Sequence, residues 1–228
     1  MVLKYFAMIV LLIYSTNAPA AANLKKADLA FKHASQLQKA SRYEEALLEF
    51  QEIERTFPYS TYAKQSKLRV ADIHFEMTNY DQAQYQYQYF YDLYPKDEKS
   101  DYALYRVGLC MFKMLPKTID RDLSGTTTVL KAWRSVLVKF PRSEYTKEIL
   151  KHQKKLLDNL GKKELYIASF YAKKNKCLSA QTRIKKLFRE FPNFLKNKKA
   201  LGIAIKCSKK LDDEPAREKY KKLLKAAS

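Results

Sequence analysis

Tyr43–Pro58, YEEALLEFQEIERTFP, returns 37 residues later as Tyr80–Pro95, YDQAQYQYQYFYDLYP. Tyr43, Ala46, Phe50, Ile53 and Pro58 match Tyr80, Ala83, Tyr87, Phe90 and Pro95 position for position. Spacings of three and four place the apolar members on one stripe of a helix, and nothing alternates with the period of two that a strand needs. The small residue lets a paired helix come close, the aromatic fills the remaining gap, and the proline stops the chain before the next helix. The same skeleton returns at Val129, Trp133, Val136 and Pro141, and at Ala180, Ile184, Leu187 and Pro192. A last copy, Ala216, Tyr220 and Leu223, lacks the proline.

An amphipathic first helix precedes each copy. The pattern predicts pairs at about 24–39 with 43–56, 60–77 with 81–93, and 100–114 with 125–139. A long helix at 143–174, with a bend at Gly161, pairs with 177–190, and 194–208 pairs with 213–226. The predicted fold is all-α: a tetratricopeptide-like α-solenoid of about five helix pairs over 23–228. Its N-terminal repeats cover 24–95, its C-terminal repeats cover 100–226, and the last helix serves as the cap.

The first 22 residues predict a secretory signal. Lys4 gives the positive start, Tyr5–Tyr14 an apolar run too short to span a bilayer, and Ala18, Ala20, Ala21 and Ala22 the small residues of a cleavage site. Cleavage is expected after Ala22, with Ala20 as second choice. No cysteine lies near the cut, so membrane contact is expected to be indirect, through partners. Export puts Cys110, Cys177 and Cys207 where disulfides are allowed. Cys177 and Cys207 fall at neighbouring ends of antiparallel helices and are the candidates for one.

Composition excludes much chemistry. The 228 residues hold four glycines, Gly108, Gly125, Gly161 and Gly202, too few for phosphate-cradling loops or nucleophile elbows. His33, His74 and His152 lie on different predicted helices, and no serine or cysteine has a base near it, so neither an enzyme nor a cofactor or metal site is expected. The net charge of +20 gathers after Pro141, where 25 Lys and Arg stand against 9 Asp and Glu. Such a surface draws acidic partners or any polyanion. Lysine on solvated helix exteriors accounts for it equally, and no nucleic-acid partner is expected.

Corresponding positions on the first helices offer a groove for an extended peptide: Asp28, Phe31 and Ser35, then Leu68, Asp72 and Phe75, then Tyr102 and Tyr105. Tyr105 and Phe112 serve equally well as core between repeats. Tyr85 and Tyr89 stand four apart on the face away from the repeat stripe, where exposed aromatics suit a partner contact. Asp120-Arg121-Asp122, in the loop between the third pair of helices, can clamp that loop or reach a partner.

Several stretches go beyond the repeat skeleton: Phe57-Pro58-Tyr59-Ser60-x-Tyr62-Ala63, Ser100-Asp101-Tyr102-Ala103-Leu104-Tyr105-Arg106-x-Gly108-Leu109, Asp120-Arg121-Asp122, Phe140-Pro141-x-Ser143-x-Tyr145 and Tyr166-x-Ala168-x-Phe170-Tyr171. With these the chain resembles the BamD (ComL-like) family of outer-membrane assembly lipoproteins, over about 24–225. The resemblance implies a periplasmic, non-enzymatic scaffold at the inner face of the outer membrane. Its C-terminal repeats would dock on a BamA-like barrel-inserting subunit, its N-terminal repeats would receive unfolded barrel precursors, and accessory assembly lipoproteins are further partners. Arg183 falls where the family places an arginine in the docking helix. Lys186 beside it belongs to a basic set, with Lys185, Arg189, Lys209 and Lys210, that would steer acidic partner surfaces. The alternative is a generic periplasmic repeat adaptor for envelope or peptidoglycan complexes.

Overall fold

Small residues at the repeat's fixed position let each second helix lie against its neighbours: Ala46, Ala83 and Ala180 are all fully buried. In the computed structural model, which describes residues 22–118 and 124–227, the chain is helical and the described residues contain no strand. Helix α1 spans 22–39. It is followed by α2 (Tyr43–Thr56), α3 (Thr61–Glu76), α4 (Tyr80–Leu93), α5 (Ser100–Met114) and α6 (Gly125–Lys139). Then come α7 (Thr146–Lys173), α8 (Cys177–Glu190), a 3-10 turn (Pro192–Phe194), α9 (Lys198–Lys210) and α10 (Glu214–Lys225). The predicted helices are all present, with ends displaced by a few residues.

Those displacements have local causes. Ser60 sits outside α3 and caps it, its hydroxyl accepting from the Ala63 N–H at 3.0 Å. Asn197 and Asp213 cap α9 and α10 in the same way. The stretch predicted to open the penultimate helix at 194 is instead the 3-10 turn, begun by Pro192. Helix α7 runs on through Gly161, where the sequence suggested a bend. Gly161 serves close approach: a Cβ there would stand 2.3 Å from the Phe194 ring.

The turns inside four of the pairs share one backbone path. Ser41, Thr78, Asn175 and Asp212 all have positive φ, between 52° and 63°. In each case the next N–H bonds to a carbonyl five residues back: Arg42 to Leu37, Asn79 to His74, Lys176 to Tyr171, and Asp213 to Ser208. This is the helix-ending motif that usually recruits glycine at its left-handed position.

The chain divides into two compact units. One runs to Met114 and takes in Lys131–Ser143; the other joins Leu115–Leu130 to Glu144–Ser228. The division thus runs through α6, whereas the sequence divides the repeats between 95 and 100. The first unit is cored by Phe50, Ile53 and Ile73, then by Ala83, Tyr87 and Phe90. Trp133 of α6 is fully buried in it, and its Nε1–H donates to the Tyr105 carbonyl at 3.2 Å. Gly108 admits the indole, since a Cβ there would lie 2.3 Å from Nε1. The second unit is cored by Ile184, Leu187, Leu201 and Ala204, with Tyr220 of α10 closing over them.

Candidate peptide face and docking helix

On the first unit, helices α1, α3 and α5 are joined by tyrosines that donate to carboxylates on the preceding first helix. Tyr62 Oη donates to Asp28 Oδ1 at 2.9 Å, and Lys32 Nζ reaches Asp28 Oδ2 at 2.8 Å. Lys32, then Tyr62, hold the Asp28 carboxyl below the usual carboxylate range. Phe31 lies between the rings of Phe50 and Tyr62, at 5.4 and 5.5 Å. Ser35 bonds back to the Phe31 carbonyl at 2.7 Å. It lines a polar cleft of about 350 Å³ with Gln38, Lys39, Tyr43, Arg69 and Glu76.

The next junction is drier. Asp72 is 8% exposed and accepts at Oδ1 from both Tyr87 and Tyr102, each at 2.7 Å. Arg69 Nη1 stands 3.7 Å from Oδ2. Burial, reinforced by the Asp72 charge, pushes both phenols well above their ordinary range, so they remain donors. Phe75 and Leu68 are half-buried against this junction. Tyr105 is buried, at 4% exposed, and its backbone carbonyl accepts from Trp133. Arg106 lies one turn beyond Tyr102 on α5 and is half-buried. Its guanidinium carbon lies 3.8 Å over the centre of the Phe75 ring.

Arg183 and Lys186 of α8 converge on a single carboxylate, Glu164 of α7. Lys186 Nζ is 2.6 Å from Oε1 and Arg183 Nη1 3.2 Å from Oε2. Glu164 is itself 8% exposed, while the two cationic side chains keep 38% and 39% of their surface in solvent. Both therefore brace α8 on α7 while presenting part of their charge outward. Nothing in the sequence flags Glu164, since one acid on a lysine-rich helix looks like any solvated residue.

Tyr85 and Tyr89 are 64% and 41% exposed, with rings parallel within 3° and 6.2 Å apart. Lys67 lies over the Tyr89 ring at 5.3 Å and is ion-paired to Glu54. Asp120, Arg121 and Asp122 lie outside the described residues. Cys177 and Cys207 are brought together as the sequence suggested, in one buried cluster with Ala172 and Ala180. Both are free, buried thiols in the structure. Burial, then the Cys177 neighbour, pushes the Cys207 thiol up to about 12. Burial likewise lifts Cys110 to about 12. Among the described residues no three His, Cys, Asp or Glu gather as metal ligands, and no helix is long and apolar enough to cross a membrane.

Stacked helix hairpins closed by a common turn, with an aromatic–carboxylate face on the first helices, define a tetratricopeptide-type repeat protein. The solved TPR2AB-domain:pHSP90 complex of yeast Sti1 superposes with a TM-score of 0.55 over 90% of this chain and 78% of that one; at 12% identity the likeness is one of fold. The family model described as "Outer membrane lipoprotein" (YfiO) matches residues 23–223. The outer membrane protein assembly factor BamD of Neisseria gonorrhoeae is 30% identical over 182 residues, covering 76% of this chain and 68% of that protein. BamD of Caulobacter vibrioides is 31% identical over 143 residues, covering 63% and 47%. The chain belongs to this family of BamD-type outer-membrane assembly factors, and with it to proteins associated with the cell envelope.

Proposed function

We propose that the chain is a non-enzymatic periplasmic scaffold that binds a BamA-like barrel-inserting subunit and unfolded barrel precursors, holding the two close together. Such a scaffold works by raising effective concentration and needs no chemistry of its own. The observation that carries this reading is the Glu164 brace. It fixes Arg183 and Lys186 in one place on α8 with their outer edges in water, so little side-chain freedom is lost when an acidic partner arrives. The first-helix face of the other unit supplies a half-buried aromatic surface suited to an extended precursor segment. Accessory assembly lipoproteins and the Tyr85–Tyr89 pair belong to the same reading as further contacts.

The test is affinity purification of the tagged chain from detergent-extracted envelopes. The expected result is co-purification of the barrel-inserting subunit. Arg183→Gln, which leaves Lys186 on Glu164, should weaken that recovery several-fold while circular dichroism stays helical. Recovery of peptidoglycan or other envelope proteins in place of that subunit would favour the generic adaptor.

A further inference from the structure

Two cysteines distant in sequence meet in the interior of the second unit. Cys177 is the first residue of α8, and Cys207 lies in the last turn of α9. Their side chains share one buried cluster with Ala172 and Ala180, and the two thiols hydrogen-bond to each other. Two further bonds hold the same helix ends in that register. Gln181, one turn beyond Cys177, donates to the Ser208 hydroxyl at 2.9 Å, and Lys210 Nζ donates to Asn175 Oδ1 at 2.7 Å. Positions 175 and 181 flank Cys177 along the chain, and 208 and 210 follow Cys207, so the pair sits between two pins. Helix ends fixed in this way give the sulfurs a high effective concentration toward each other.

The fold also removes the competitor. Cys110 is fully buried in the core of the other unit, among Ala71, Ala83 and Val107. Three cysteines allow three pairings, and one of these joins residues already in contact. A buried cysteine packs as a small apolar residue, which Ala172 and Ala180 show is all the volume this site asks for. Two sulfurs in contact add what alanines there could not, a covalent link between α8 and α9.

We propose that Cys177 and Cys207 form a disulfide in the exported chain, stapling the start of α8 to the end of α9. This rests on the reading that the chain is periplasmic, an oxidising setting, and it adds a covalent link to the helix that carries Arg183 and Lys186. The oxidant is a disulfide donor: a disulfide-bearing thiol oxidase, or oxidised glutathione in the test tube. Cys177, 5% exposed against 0% for Cys207, is the sulfur that a donor meets first. Its thiolate attacks one sulfur of the donor disulfide, forming a mixed disulfide and expelling the donor's other sulfur as a thiolate. Cys207 then loses its proton to solvent and attacks the Cys177 sulfur, and the donor's second sulfur leaves. Two thiols have lost two protons and two electrons, and the donor disulfide has become two thiols. Both steps belong to a chain still folding or locally opened, because the finished core closes over the pair.

The test equilibrates the purified full chain with mixtures of reduced and oxidised glutathione, quenches it in acid, labels every free thiol under denaturing conditions and maps the peptides by mass. The oxidised chain should be lighter by two hydrogen atoms, with the Cys177 peptide joined to the Cys207 peptide and Cys110 alone labelled. Closing a loop of about 30 residues should lower the unfolded fraction at a given urea concentration about a hundredfold relative to the reduced chain. Reductant should leave the urea curve of Cys177→Ala where it is. Three labelled thiols in every mixture, a link that involves Cys110, or a link that leaves the urea curve unmoved overturns the staple. The same labelling is then applied to the chain taken directly from cell envelopes, where the 177–207 link is again expected. A link that forms in glutathione while the envelope sample shows three free thiols overturns the periplasmic placement and leaves the pair standing. No link in either sample overturns the pair and leaves the placement untouched.

Discussion

At the scale of single residues, the glycines divide into those that space requires and those it does not. Gly108→Ala drives a methyl group into the fully buried Trp133 indole, so the variant should lose about 1–3 kcal/mol in urea unfolding. Gly202 meets nothing within 4 Å of a built Cβ and lies exposed in α9, so Gly202→Ala should gain about 0.5–1 kcal/mol. His74 gives a pH signature. Burial lowers its pKa from the ordinary 6.5, and its Nδ1 has no partner. The unfolded chain therefore takes up the proton more readily than the folded one, and stability is full above 6.5 and lost as the pH falls below it. His74→Gln should remove that part of the acid slope in denaturation curves measured between about pH 7 and 5. The sequence conveyed residue types well and residue partners poorly. Asp72 reads as a groove carboxylate, but its two tyrosine donors lie 15 and 30 residues away and only packing reveals them. The ring-stacked position of Arg106 has no signature in a string of letters, because Phe75 and Tyr87 reach it only through packing.

At the scale of helices and turns, the 3.6-residue periodicity was nearly sufficient. The small, aromatic and proline positions located every second helix, because the residues that fill the gap between two helices must recur where the helices touch. The turns were harder to see. Their left-handed corners carry Ser41, Thr78, Asn175 and Asp212, where a reader searching for glycine finds none. Thr78 is the costliest of these, since a β-branched side chain crowds the left-handed region. Thr78→Gly should stabilise the chain by about 0.5–1 kcal/mol in chemical denaturation, the relief of strain exceeding the added freedom of the unfolded chain. The basic face of α8 was visible in the sequence, but its brace was not: Glu164 lies 19 and 22 residues from its two cations.

At the scale of the whole molecule, charge is the dominant long-range property. Twenty surplus positive charges, most of them after Pro141, create a field that reaches a partner before any side chain does. The proposed association with an acidic partner surface should therefore slow several-fold in stopped-flow mixing as salt rises from about 50 to about 500 mM, with the dissociation rate changing little. An association rate indifferent to salt would assign the lysines to solubility alone.

The four corners with a shared backbone path bear on how such a chain could arise. Bonds from main-chain N–H groups to carbonyls five residues earlier make each corner, so the side chain there has almost no task. A copied hairpin can then drift to serine, threonine, asparagine or aspartate at its hinge and still close at the same angle. Gene duplication builds long arrays from units of this kind, because the joint survives the loss of its original letter.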